Sequence, residues 1–472
     1  MNWKFLESIW QAGGEIFEVG GCVRDRALKL PQKDLDLLVR NLSFEKLKTL
    51  LAPYGKVVLV GKTFGVLKLT PHQAPDCIID IALPRKESST GVGHRDFEVS
   101  FDPALPVEID LARRDFTINA MARNLQTGAL IDPFHGMEDL EQKLLRQVFP
   151  KAFEEDPLRL IRAIQFTARF GLSIEPGTWE QMKKSAPLIE TVSPERILEE
   201  LRKLLLAPAP STGLDLMQQC GLLGFVFPEI QKLIGISQDK RPGDDVYRHT
   251  LRVVDAARCD PLLDHPGNLE VMLAALFHDT GKADTQSFDP AKNRIVFYNH
   301  QVVSARLARR WMHKMKVTTL GVHPEAVNTL VYNHMFETKS YYTDRAIRRF
   351  IQKIGKELIF KLLDLRLADN RGGKHPRSVK GVLKMRERVR EILAQKPPFG
   401  PADLAMKGGD LKTMGFQEGP NMGKVLHQLV ELVLDHPEWN TTEQLTAFVQ
   451  ELITHDPKIL EKGFAKEKKE PQ

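Results

Sequence analysis

The sequence predicts an α+β protein in which a mixed head precedes a long helical body. Three observations carry this. Residues 1–143 alternate short β-branched runs with glycine turns and brief helical stretches. From about residue 144 to 455 the apolar residues recur at helical spacing. Punctuation such as Lys396-Pro397-Pro398-Phe399-Gly400-Pro401 then divides the helical body into segments.

Composition bounds the class. A chain of 472 residues has room for about three or four domains. Apolar residues make up 42% and charged ones 27%, the balance of an ordinary water-soluble protein. A net charge of +6 permits a nucleic-acid partner without demanding one. Cys22, Cys77, Cys220 and Cys259 show no C-x-x-C spacing. That argues against a disulfide framework or a thiolate zinc site, and for a reducing cytoplasm. The N-terminus lacks a basic-then-apolar leader, and no apolar run nears about 18 residues, so a cytoplasmic protein with no membrane segment is expected.

The head is organised around Gly20-Gly21-Cys22-Val23-Arg24-Asp25. Glu18-Val19 reads as a strand end, Gly20-Gly21 as a turn and Val23–Lys29 as a helix start, an arrangement that can cradle a phosphate. Arg24 adds a forked donor. Asp34 and Asp36 sit two apart on the next strand and so share a face, which suits Mg²⁺. The plainer reading is a glycine turn beside a solvated acidic face. Strands are expected at Val57–Val60, Val66–Thr70 and Cys77–Ala82, with a Gly61–Gly65 turn between the first two. Asp80 is either a third metal carboxylate or a strand-end residue. Leu83–Pro106 reads as one long polar loop. Arg113-Arg114-Asp115 is expected to open a helix, offering donors to a triphosphate and an acceptor to a ribose hydroxyl. Asp132–Leu140 reads as a turn into another helix.

The helical body begins with Glu155-Asp156-Pro157-Leu158-Arg159 at a helix start. Asp156, Arg159 and Arg162 fall close to one face, either as a surface ion-pair ladder or as an acceptor–donor ledge for a base edge. Ser193-Pro194-Glu195-Arg196 opens a further amphipathic helix. Residues 231–385 are helical and histidine-rich. His278-Asp279 follows an apolar helix, and distant His249 and Asp369 complete an N/O ligand set for a divalent ion, with His300 and His334 as additional candidates. In the closing segment, Gly408-Gly409 and Gly419–Lys424 precede a helix, and either contact phosphates or serve helix packing. Lys458–Gln472 is charged and expected to fray.

Read together, these motifs resemble the bacterial class II tRNA nucleotidyltransferase and poly(A) polymerase family over nearly the whole chain. Gly20–Asp25 with Asp34–Asp36 resembles its first motif, Arg113–Ala120 its second and Asp132–Leu140 its third. Glu155–Arg159 resembles the nucleobase-reading motif and Ser193–Arg196 the helix bracing it. Residues 249–369 resemble an HD phosphohydrolase domain, and the closing segment resembles a tRNA-contacting tail. The resemblance implies a polymerase-β-like nucleotidyltransferase head (1–143) with a small mixed sheet, followed by all-α parts. These are a neck (144–230), an HD domain (231–385), a tail (386–455) and a charged, disordered end (456–472).

The resemblance also implies roles. Asp34 and Asp36 would bind two Mg²⁺ ions, and Gly20, Gly21, Arg24 and Arg114 would line the phosphates. Asp115 would meet the ribose, and Asp156 and Arg159 the bases of CTP and ATP, while Arg162 would reach the phosphates or support that ledge. His249, His278, Asp279 and Asp369 would hold a transition metal. The polar stretch near 83–106 resembles a mobile element linked to switching from C to A addition. Two positions depart from the family pattern: Gln165, where an arginine is common, and His135, where a glycine is. The expected activity is CCA addition to tRNA. An A-adding or CC-adding enzyme or a poly(A) polymerase is the nearest rival, and an HD phosphohydrolase using the head to bind RNA is a rival of another class.

Overall fold

The computed structural model describes residues 3–31, 35–60, 65–89, 97–238, 244–338, 342–373 and 379–461; for 86–89 and 97–100 the backbone alone is described. Asp34, the 61–64 part of the first turn, residues 90–96 of the polar stretch and the end of the chain from 462 therefore lie outside it. The chain packs as two compact units, Met1–Ile234 with Arg310–Val322, and Gly235–Arg309 with His323–Gln472.

In the first unit, β1 (Glu15–Val19), β2 (Leu35–Arg40), β3 (Gly55–Val60), β4 (Val66–Pro71) and β5 (Ile79–Ala82) enter one mixed sheet. The short β8 (Ala122–Asn124) and β9 (Leu130–Ile131) complete it in the order β3-β4-β5-β2-β1-β8-β9. The β2–β5 pair is parallel and its neighbours are antiparallel. Two-residue alternation divides the side chains between two faces. Ile16, Leu37, Val39, Leu67 and Ile79 pack with Phe5, Ile9, Leu47 and Leu51 of α1 (Lys4–Gln11) and α3 (Phe44–Leu51). Phe17, Val19 and Leu38 point the other way, onto Val107 and Leu111 of α4 (Val107–Ala112). Each such burial contributes roughly 1.5–3 kcal/mol. Asp36 shares the face of Leu38, so it emerges where that second core layer ends. The connection from β1 is α2 (Gly21–Ala27).

Two expectations for the head need correcting. The polar stretch is not all loop: β6 (Arg85–Ser89) pairs antiparallel with β7 (Phe97–Phe101) as a separate ribbon. Its lysine, two glutamates and three serines hid the strand signal. Arg113 does not open a helix but caps the end of α4; a 3₁₀ turn, Thr117–Asn119, follows. The turn from Asp132 does lead into α5 (Gly136–Glu141), with His135 in the left-handed region at φ 60°. That backbone favours glycine, which accounts for the glycine common at this position and leaves His135 as the exception.

The neck contains α6 (Ala152–Glu155), α7 (Leu158–Phe170), α8 (Pro176–Ser185) and α9 (Pro194–Leu205). Helix α7 ends at Gly171, a left-handed C-cap with φ 64°. Its Leu160, Ile161 and Ile164 are buried, as are Leu201 and Leu204 of the neighbouring α9. The returning segment Arg310–Val322 docks on this unit. The Trp311 indole donates to the Val226 carbonyl at 2.8 Å and stacks on Phe227 at 5.0 Å, while Arg310 pairs with Glu229 at 2.9 Å.

In the second unit, helices Val246–Cys259, Leu269–Phe277, Pro324–Asn333 and Ile359–Gly372 pack around an apolar centre. Asp245 and Asn268 cap two of them. A Cβ on Gly372 would meet Val253 at 2.5 Å and the His249 ring at 3.1 Å, so this glycine lets two helices close up beside His249. The tail helices Gly408–Thr413, Pro420–Asp435 and Thr442–His455 share a core of Leu411, Val425, Leu429, Val433, Leu445 and Val449. A Cβ on Gly408 would lie 3.5 Å from the Met422 sulfur, whereas one on Gly409 or Gly423 would meet nothing within 4 Å. Pro457–Leu460 forms a 3₁₀ turn with Leu460 against the same core, so the charged end is ordered further than expected. Among the described residues no helix is long and apolar enough to cross a membrane.

Candidate active site and metal centre

Residues from β2, α2, β6, α7 and α9, and from the segment that follows α4, line a cleft of about 960 Å³ in the first unit. Gly21, Arg24, Asp36, Arg114, Asp115, Asp156, Arg159 and Arg162 all border it. Gly20 turns the chain at φ 67°, and a Cβ there would lie 2.3 Å from the Arg114 guanidinium. Glycine is required at that point by both backbone and neighbour. Asp36 donates its backbone N–H to the Cys22 sulfur at 3.1 Å, and burial pushes the Cys22 thiol up to about 11. Asp80 stands beside Asp36 in register but pairs with Lys68 at 3.2 Å, and it is not among the cleft residues.

The cleft's cations are held by specific acceptors. Arg24 is buried; it grips Asp25 at 2.7 Å and donates to Asn119 at 2.6 Å. Arg113 and Arg114 share Asp110, at 2.6 and 3.2 Å. Asp110 is wholly buried; burial opposes its charge, but the two guanidiniums hold its carboxyl below the usual range. Asp115 receives Arg162 at 2.7 Å, Asn119 at 3.0 Å and the Phe116 N–H at 2.8 Å. Burial alone would raise its carboxyl, yet these partners hold it at about 2. Asp156 accepts from Arg196 at 2.9 Å, which is how the bracing helix α9 meets the ledge. Arg159 donates to the carbonyls of Ala152 at 3.1 Å and Arg113 at 2.9 Å. Side chains fixed this way present a preset acceptor and donor rather than a mobile pair.

The second unit gathers the histidines. The Nε2 atoms of His249 and His278 lie 3.3 Å apart, and those of His300 and His334 lie 3.4 Å apart. Asp279 stands between the two pairs. Its Oδ2 is 3.1 Å from His278 and its Oδ1 is 3.3 Å from His300. Asp369 approaches His249 at 3.1 Å. His278, His300 and His334 each place Nδ1 within 2.7–2.9 Å of a backbone carbonyl. Donation there leaves the Nε2 lone pairs facing inward. Burial and the His278 ring push His334 down to about 3, which keeps its imidazole neutral. Two ligand groups result, His249-His278-Asp369 and Asp279-His300-His334. Their neutral imidazoles and carboxylates suit borderline divalent transition metals.

Three family models match the chain: the poly A polymerase head domain over residues 16–146, the probable RNA and SrmB-binding site of polymerase A over 171–234, and the HD domain over 246–371. A multifunctional CCA protein of Methylobacillus flagellatus is 38% identical over 309 residues, covering 64% of this chain and 70% of that protein. The chain belongs to the multifunctional CCA protein family. The Nitrosomonas europaea member is 39% identical over 275 residues, 57% of this chain. The match spans 63% of that relative's length, less than two thirds. Among solved structures, the Bacillus stearothermophilus CCA-adding enzyme in complex with CTP has the same fold. It covers 96% of this chain and 97% of its own, with a TM-score of 0.70 at 23% identity. The Thermotoga maritima CCA-adding enzyme complexed with tRNA covers 95% and 94%, with a TM-score of 0.54 at 21% identity.

For this member of the multifunctional CCA protein family, sequence reasoning missed several residues on the cleft wall and the buried carboxylates Asp110 and Glu200 that hold its arginines. Asp110 was legible as i−3 and i−4 to the arginine pair on one short helix. Glu200, which accepts from Lys203 at 2.8 Å and Arg162 at 3.4 Å, had no comparable signal. Arg85, Arg169, Arg202 and Lys203 also border the cleft. In the second unit the missed residue is Gln238, which accepts at 3.1 Å from Lys282, the lysine that follows the His278-Asp279 pair and lies 2.7 Å from Asp279.

Proposed function

We propose that the chain adds CCA to the 3′ end of tRNA from CTP and ATP, with no nucleic-acid template. The observation that supports this best is the convergence on one cleft of motifs spread from Gly21 to Arg162, in a member of the multifunctional CCA protein family. Asp36 fits a metal role: it is a carboxylate on a cleft where, among the described residues, arginines and lysines outnumber carboxylates, and Asp34 lies two positions before it in the sequence. Asp34 and Asp36 would hold two Mg²⁺, which would neutralise triphosphate charge and lower the pKa of the tRNA 3′-hydroxyl. Arg24 and Arg114 would face the phosphates, and Asp115 the ribose. Asp156 would accept from, and Arg159 donate to, the Watson–Crick edge of the incoming base. The charged cleft walls favour backbone and shape recognition of the RNA. Domain limits of 1–143, 144–230, 231–385 and 386–455 would assign head, neck, HD and tail. The free cysteines fit a cytoplasmic setting.

The test uses three tRNA substrates, ending before CCA, after C and after CC, each with CTP, ATP or both. Extension of all three to one CCA end is expected. A single adenosine added only to the CC-ending tRNA would make it an A-adding enzyme, and runs of adenosine a poly(A) polymerase. No extension at all sinks the reading.

The six-residue histidine–aspartate centre favours a second, metal-dependent phosphohydrolase activity on phosphoesters in the second unit. Lys282, beside Asp279, would offset phosphate charge there. Asp36→Ala should abolish addition and spare hydrolysis, whereas Asp279→Asn should do the reverse.

A further inference from the structure

Helix α7 carries a second feature of the head cleft. Phe166 and Phe170 stack with centroids 5.8 Å apart and planes 16° from parallel. Arg162 lies over Phe166 at 5.3 Å. Arg24, from α2, lies over Phe166 at 5.1 Å and Phe170 at 4.6 Å. Arg169 lies over Phe170 at 5.0 Å. Three guanidiniums and two rings thus form one ladder along the cleft wall. A ring holds a guanidinium by its face and leaves the N–H edge open to acceptors.

The cations of this ladder are not compensated equally. Arg24 contacts Asp25, and Arg162 contacts Asp115 and Glu200. Arg169 makes its side-chain hydrogen bond to a neutral group, the Gln165 carbonyl, at 3.2 Å, and meets no carboxylate among the described residues. Gln165 is fully buried, and its amide nitrogen has no hydrogen-bond partner among the described residues. Burial and the charge of Arg24 hold the Arg169 guanidinium below its ordinary pKa. An anion arriving at this point would relieve that crowding. Ten residues separate Arg159 from Arg169, about 15 Å along the helix axis, so the two mark opposite stretches of the same wall.

We propose that Arg169 binds a phosphate group of the substrate in the head cleft, and that Gln165 is the residue positioning its guanidinium. This rests on the nucleotidyl-transfer reading of that cleft. The phosphate belongs either to the incoming nucleotide or to the backbone near the RNA 3′ end, and the experiment separates these sources.

The test compares the full-length wild type with Arg169→Ala, Arg169→Lys and Gln165→Leu. Binding of inorganic tripolyphosphate is measured by calorimetry, and KM and kcat are measured for CTP, ATP and tRNA. Arg169→Ala should weaken tripolyphosphate binding about tenfold, the scale of a lost charge-assisted hydrogen bond. The KM for both nucleotides should rise in step while kcat holds. Lysine should restore part of the loss. Gln165→Leu should show a smaller rise that vanishes in the Arg169→Ala background, because it acts through Arg169. A raised tRNA KM with tripolyphosphate binding intact would assign the phosphate to the RNA. Unchanged tripolyphosphate binding together with unchanged KM for all three substrates overturns the proposal, as does a lowered melting temperature with no change in binding. Should the alanine variant fold poorly, Arg169→Gln keeps the stem and repeats the comparison. A wild type that extends no RNA sinks the transfer reading alone, since the tripolyphosphate measurement still decides on Arg169.

Discussion

At the residue scale, the head cleft is an arrangement of buried carboxylates that aim arginines. Asp110 is the clearest case, since one carboxylate fixes both Arg113 and Arg114. Asp110→Asn keeps the shape but removes the charge. It should cost about 2 kcal/mol in urea unfolding, because two guanidiniums lose their counterion, and it should raise the nucleotide KM. Asp115 makes a pH prediction. Its carboxyl is held at about 2 against an ordinary 3.8. A depressed folded-state value contributes stability above the unfolded value, which is lost as pH falls through the folded one. The contribution is therefore full above about pH 4, fades toward pH 2, and is on the order of 2 kcal/mol. Melting temperatures followed down this range should fall more steeply in the wild type than in Asp115→Asn. The identities of these residues were legible in the sequence, but their pairing was not. Asp115 meets Arg162 across 47 positions, a contact created by how α7 docks and by no local spacing.

At the element scale, legibility followed locality. The β1–turn–α2 unit, the proline-led α9 and the apolar helix before His278 are all written in contiguous residues with caps or periodicity of their own. The β6–β7 ribbon is not, because its strands are defined by pairing with each other across a gap in the sequence. The motif around α5 shows how tightly such elements are set. A Cβ on Gly136 would stand 2.3 Å from the Thr117 carbonyl oxygen, a backbone atom that cannot swing aside. Thr117 is further tied to Asp139 at 2.6 Å. Gly136→Ala should cost about 1–3 kcal/mol by overpacking, read as a lower urea midpoint with an unchanged slope. The same change at Gly171, where a Cβ meets nothing within 4 Å, should cost less and only through its left-handed backbone.

At the scale of the whole molecule, two kinds of site depend on charge in different ways. The histidine–aspartate centre collects four imidazoles and two carboxylates in a buried space, so bound metal should stabilise the second unit by mass action. Chelator treatment should lower that unit's melting transition, and adding back a divalent transition metal should restore it; Asp279→Asn should abolish the difference. RNA binding should instead weaken steeply as salt rises, since it would release counterions from the backbone. The helical body and its histidines were legible from period and residue type. The division into units was not, because it depends on where one short segment goes.

That segment, Arg310–Val322, also decides how the protein can be taken apart. The chain leaves the first unit after Ile234, and Trp311 then returns to stack on Phe227. No single cut liberates the first unit whole. A fragment ending at Ile234 would lack the indole that covers Phe227 and would show water an aromatic ring that the intact protein hides. Dissection by truncation, the usual way to assign two activities to two halves, would therefore report a damaged first unit as an inactive one. Point substitutions within the intact chain are the sound instrument for dividing labour between its parts.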